Sequence, residues 1–287
     1  NSPTGGNIKI TYTDSGNRDL LADYSRLLVT EESSAVTPAN PSLDSTTWRY
    51  SAQFSRTKNP QTGFSLLDHL RHLLAADPKL QQVGLKGGLD IWLYRNVLNV
   101  MVLASSARDA QRTGNDPPFL RRQLVRILDY LDGSQYIHTE KLPPGLTPVE
   151  IDPIIARVAL LEFDQLNQFP PGYIDHIGTH LKELVDSPGV TPEQKQLAIQ
   201  IDNGLNNVQG WLEQVHTDAQ KLMQMSDAQL QQPASQALFD DLYTQANRAF
   251  TGRFNPDTGQ VQDGVSQIHA QDLQLATFDI QPYQATK

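Results

Sequence analysis

The side chains best spaced for chemistry in this 287-residue chain are His176, His180 and Glu183. They stand at i, i+4 and i+7, so a helix carries two imidazoles and a carboxylate along one stripe. Nitrogen and carboxylate donors at that spacing can meet one zinc or iron ion. A plainer reading competes with this one. Ile174, Ile177, Leu181 and Leu184 make the apolar stripe of the same helix, which leaves both histidines on its polar side, where solvated imidazoles are ordinary. A zinc protease would need His-Glu-x-x-His, and Ile177 occupies the position of its general base.

The stretch Gly178-Thr179-His180-Leu181-Lys182-Glu183 is similar to the G-x-H-x-x-E signature of the imelysin family, exported helical proteins linked to iron. The resemblance spans six residues and three fixed positions. It implies a helical exported protein with a connection to iron.

Other polar groups are weaker candidates. His69 and His72 stand at i, i+3 beside Asp68, flanking an apolar face of Leu66, Leu70, Leu73 and Leu74, and are expected to be partly buried structural histidines. Asp90, Arg95, Asn96 and Asn99 interrupt the most apolar helix. They either emerge on its solvent side or line a ligand pocket formed by Trp92, Arg95 and Asn99. Arg108, Arg112, Arg121, Arg122 and Arg126 form a local basic cluster, but Asp109, Asp116 and Asp129 interleave with it. No nucleophile elbow, Walker loop, dinucleotide fingerprint or kinase signature occurs.

Composition narrows the field. A net charge of -9 argues against a surface that tracks nucleic-acid phosphates or docks on anionic lipid. The absence of cysteine excludes disulfides, thiolate metal sites and cysteine nucleophiles. Of 28 glutamines, 19 lie from Gln194 onward, giving a neutral-polar surface of the kind common on exported bacterial proteins. The start at Asn1 without methionine, in a polar stretch, leads us to expect a removed signal peptide or membrane anchor.

These residues must be positioned mainly by helices. Ala198, Ile201, Leu205, Val208, Leu212, Val215, Ala219 and Leu222 recur every three or four residues, the seam of a bundle helix starting near Pro192. Further helices are expected over 65–77, 90–110, 117–132, 152–168, 173–186 and around Leu238 to Phe250. Ser65 with Asp68 reads as a capping box. Ile8, Ile10 and Tyr12 alternate as a strand, as do Trp48, Tyr50, Ala52 and Phe54. Between them Asn17 is expected to cap a helix carrying Leu20, Leu21, Tyr24, Leu27 and Leu28. Asn59-Pro60-Gln61-Thr62-Gly63 and Asn255-Pro256-Asp257-Thr258-Gly259 read as tight turns, the second within a hairpin from Phe254 to Val261. The tail from Ile268 to Tyr283 is expected to return as a strand beside Ile8 to Tyr12.

The fold expected is mainly α. It has a small α+β part over 1–64, a helical region over 65–148, an antiparallel helical bundle over 149–252, and a hairpin with an extended tail over 253–287. All four could form one compact domain. The function expected is a non-catalytic extracytoplasmic domain, tethered to a membrane through a segment before Asn1, that binds a protein or small-molecule ligand and no nucleic acid. The alternative is an exported metal-binding protein using the His176, His180 and Glu183 stripe. The sequence names no cofactor.

Overall fold

The computed structural model describes residues 11–33, 35, 40, 42–114, 116–133, 141–162, 169–277 and 279–284. In chain order the first elements are α1 (Leu20–Asp23), β1 (Arg26–Thr30), β2 (Trp48–Gln53), α2 (Leu66–Leu74), α3 (Pro78–Gln82), α4 (Leu89–Thr113) and α5 (Pro117–Asp132). There follow α6 (Tyr173–Val185), α7 (Pro192–Gln224), α8 (Asp227–Leu230), α9 (Pro233–Thr251), β3 (Arg253–Asn255), β4 (Gln260–Gln262), α10 (Val265–Leu275) and β5 (Gln281–Pro282).

Helix α7 is the axis of the bundle. Thr191 and Gln194 close a reciprocal capping box at its start, and Pro192 sits in its first turn, where the missing N–H is harmless. Its seam residues Ala198 to Leu222 are all buried, and it packs against α5, α6, α9 and α10. Gly204 lies where a side chain would press on Ile268 of α10 at 3.2 Å, so the glycine admits a close helix approach at the expense of propensity. Gln194 fastens the other end of α10, donating from Nε2 to the Leu275 carbonyl at 2.8 Å. Helix α4 forms a second axis, touching α2, α5, α6, α9 and α10. The shared core runs from Phe54 to Leu275, with Tyr173 and Phe239 among its largest fully buried side chains.

Two small antiparallel sheets flank the helices. β2 lies between β1 and β5, with Leu27 opposite Ala52 and Ser51 opposite Gln281. β3 and β4 form the expected hairpin, pairing Phe254 with Val261 around a turn closed by Gly259 at φ +66°.

Three expected elements differ. The helix from Leu20 to Leu28 shrinks to one turn, capped by Asp19 and not Asn17, and Leu27 and Leu28 enter β1 instead. Those leucines satisfy helical spacing, but pairing with β2 satisfies their backbone groups over five residues. The expected helix over 152–168 is, in its described part, a single 3-10 turn, Ile155–Arg157. Beyond it Leu160 and Leu161 donate backbone N–H groups to the carbonyls of Tyr130 and Leu131, which an α-helix would forbid. Residues 163–168 lie outside the described set. The expected tail strand is the helix α10, and only Gln281–Pro282 pairs, with β2. Tyr12 is in no strand, and Ile8 and Ile10 lie outside the described residues.

Candidate metal centre

The buried side of α6 is wider than its apolar stripe. Besides Ile174, Ile177, Leu181 and Leu184, it buries His176 and His180, which are 4% and 6% exposed. The cause is α2, which lies across α6 and presents His69 and His72 to them. Helix α2 is started by its capping box: the Ser65 hydroxyl accepts from the Asp68 N–H at 3.2 Å, and the Asp68 carboxylate accepts from the Ser65 N–H at 2.9 Å. Leu66, Leu67, Leu70 and Leu73 anchor it in the core, and His69 goes down with them, fully buried.

Asp77 completes the set. It caps α3, accepting from the Leu80 N–H at 2.9 Å through Oδ1. Its other oxygen, Oδ2, faces the histidines, 3.7 Å from His176 Nε2 and 4.0 Å from His72 Nδ1. Capping fixes the carboxylate without consuming it. The first Asn-Pro-x-Thr-Gly turn also serves the cluster. Gly63, at φ +77°, closes it, and the turn delivers Phe64 against the rings of His69, His72 and His180 at centroid distances of 5.3 to 5.9 Å. Asn59 ties the turn to the end of α6, donating from Nδ2 to the Asp186 carbonyl at 3.3 Å.

Within the cluster the Nδ1 atoms of His69 and His180 lie 3.0 Å apart. That is an N–H···N hydrogen bond in which one ring donates and the other accepts, and it also falls within the about 2.9–3.4 Å that separates adjacent donors on one ion with bonds of ~2.0–2.1 Å. Glu183, half-buried, brings Oε2 to 3.9 Å from His69 Nε2. His176 stacks on His180, with centroids 5.1 Å apart. His69 Nε2, His72 Nδ1, His176 Nδ1 and the Tyr173 hydroxyl are buried without a hydrogen-bond partner. Such a group normally costs about 1–3 kcal/mol, and several in one place call for an explanation.

Burial keeps these rings neutral. Desolvation pushes His69 and His176 down to about 4, helped by neighbouring imidazoles and, at His176, by Lys79 against the opposing pull of Asp77. His180 falls furthest, to about 2, because it is desolvated and also faces His176, His72 and His69. His72 is lowered too, chiefly by desolvation. Glu183 is raised by its desolvation, with Lys79 opposing. A neutral imidazole carries the lone pair that a metal ion needs.

Of the residues expected from sequence, His180 and Glu183 thus join a donor group with His69, while His176 faces Asp77. The solvated alternative for His176 and His180 does not hold, because α2 covers them. Asp77 was not singled out in the sequence, and His69 and His72 were expected there only as partly buried structural histidines, not as members of a donor group. The available signal was that four of the seven histidines fall in two closely spaced pairs on two helices.

Trp92, Arg95 and Asn99 are placed differently. Arg95 and Asn99 are exposed. The Trp92 indole donates to the Lys86 carbonyl at 2.9 Å, Arg95 lies over the Trp92 ring, and the Asn99 amide donates to the Tyr130 hydroxyl at 3.0 Å. The basic cluster is also internally engaged: Arg112 pairs with Asp240, and Arg121 with Asp227 and two main-chain carbonyls.

A second buried polar cluster joins α4 to α10. Asp90, flagged in the apolar helix, bonds His269 Nδ1 through Oδ2 and faces Asp272, which is fully buried with neither oxygen hydrogen-bonded. Burial and the Asp90 charge push Asp272 well above the carboxylate range. A carboxyl group that is protonated gains the donor that this pair otherwise lacks.

Among the described residues no helix is long and apolar enough to cross a membrane. Neither a family model, nor a curated protein, nor a solved structure matches the chain.

Proposed function

We propose that this protein is an extracytoplasmic metal-binding protein that holds a divalent transition-metal ion between α2 and α6. The observation that carries the reading is the set of buried imidazole nitrogens without hydrogen-bond partners beside two carboxylates. A purely structural cluster would pair those nitrogens or replace them with apolar groups. Four imidazoles with Asp77 and Glu183 form a nitrogen-rich donor set suited to zinc, copper, nickel or ferrous iron, whereas calcium and magnesium prefer oxygen cages. Support for export is separate and compositional, resting on the glutamine-rich sequence. The test is elemental analysis of protein stripped with chelator, reloaded with zinc or ferrous iron and dialysed. Wild type retains metal in a whole-number ratio to the chain and His180→Ala loses it. A wild type that retains none would overturn the reading.

A second reading, binding of a small apolar ligand, is favoured by a cleft of about 400 Å³ lined by Tyr12, Leu20, Leu21, Tyr24, Leu27 and Phe54. An apolar fluorescent dye tests it. Bright binding that Leu21→Asp abolishes without unfolding would support the cleft, and a dark dye would rule against it.

A further inference from the structure

We propose that the centre takes two transition-metal ions and that His180 bridges them, an inference that rests on the metal-binding function above. Donors on a single ion with bonds of ~2.0–2.2 Å lie at most about 4.4 Å apart. The six donor side chains do not form one such shell. Among the described residues five of them form two triads, His69–His180–Glu183 and His72–Asp77–His180, each with its ligand atoms within 4.8 Å of one another, while His176 belongs to neither. Each triad is two imidazoles and one carboxylate, a donor set that holds a transition metal and leaves coordination positions open. His180 is the residue they share.

The ring of His180 suits that position. Its Nδ1 lies toward His69, at 3.0 Å, and Nε2, across Cε1 in the same ring, directs its lone pair away from that side. Stacking on His176 and the edge contacts with His69, His72 and Phe64 hold the plane from several directions. One nitrogen serves each ion only if both carry lone pairs, so the bridging ring is an imidazolate and its N–H proton leaves to solvent as the second ion binds. His176, 3.7 Å from Asp77 Oδ2, stands beside the second triad as a further donor. His69 and His72 belong to different triads, so an ion held in one triad leaves the donors of the other unserved.

Stoichiometry and magnetic coupling test this. Stripped protein is loaded with Zn²⁺ and dialysed for elemental analysis, and separately titrated with Cu²⁺ while the electron paramagnetic resonance signal is recorded. Two zinc ions per chain are expected. The copper signal should grow to one equivalent and then shrink toward two, because an imidazolate couples the paired spins. Asp77→Asn, which keeps the helix cap, and His72→Gln should each retain one zinc and give an uncoupled copper spectrum at full intensity. One zinc in wild type, unchanged in both variants, would overturn the pair of ions while leaving the proposed function intact. Two ions with additive copper signals would overturn the bridge. No retained metal would overturn the function itself. Should both variants fail to fold, the wild-type count and copper titration decide alone.

Discussion

The protein buries polar side chains at two helix contacts and treats them in opposite ways. Between α2 and α6 the groups are imidazoles, and burial lowers their affinity for protons. Between α4 and α10 they are the carboxyl groups of Asp90 and Asp272, and burial raises it. Both clusters are driven toward neutrality by the same desolvation. The consequences differ because a neutral imidazole keeps a free lone pair, whereas a neutral carboxylic acid has gained a donor that its neighbour can accept. The first cluster is left with ring nitrogens that have no hydrogen-bond partner. The second is driven to hold a proton of its own, and His269 engages Asp90 through Oδ2.

The largest expected effect comes from removing a central donor of the first cluster. His180→Ala should weaken zinc binding by more than about 100-fold, since even outer partners of metal ligands are worth about 10–100-fold. Competition titration against a chelator of known affinity measures it. Asp272→Asn should leave zinc binding unchanged, and an equal loss there would erase the distinction between the clusters.

Next is the aromatic cover. Phe64→Ala strips a ring from three imidazoles and should destabilise the metal-free protein by about 1–3 kcal/mol in denaturant unfolding. It should also let water reach His69, so that the ring titrates at a higher pH by nuclear magnetic resonance. An unmoved His69 would show that α2 and α6 alone keep the cluster dry.

The pH dependence of stability separates the clusters by sign. An imidazole with a folded value near 4 stabilises the fold fully above about 6.5, and that contribution is lost as pH falls through this window. Replacing His69 with Phe should therefore flatten the decline of metal-free stability between pH 6.5 and 4, by up to about 1.4 kcal/mol per pH unit. Raised carboxyls act in reverse. Asp129, held up to about 7 by burial beside Glu150, binds its proton more tightly in the fold, so its penalty shrinks as pH falls from 7 toward 3.8. Asp272→Asn should accordingly raise stability at pH 8 by about 1 kcal/mol and have no such benefit at pH 4. Denaturation series at four pH values check both slopes.

The helices at this contact were legible because their signals are local. Ser65 with Asp68 announces α2, and the Ile174, Ile177, Leu181 and Leu184 stripe announces α6. The site was legible only in part. His176, His180 and Glu183 share a stripe by periodicity alone, but the polar side of α6 looks like a solvent face until another helix covers it. Its partner lies far along the chain: His69 and His180 are 111 residues apart. Asp77 gives a local reading too, as a cap before Pro78, and that reading conceals the second oxygen turned toward the histidines. The misread segment from Leu20 to Leu28 has the same origin, since leucines that fit a helical stripe also fit a strand once β2 offers hydrogen bonds.

By itself the sequence determined which segments coil, where most of them start and stop, and that one helix carries two imidazoles and a carboxylate in line. Periodicity and capping act over a few residues, so they are written in the order of the chain. Which polar face would meet another, and whether it would be wet or dry, was decided only when α2 crossed α6. Desolvation depends on everything packed around a group, and no spacing along one helix records that.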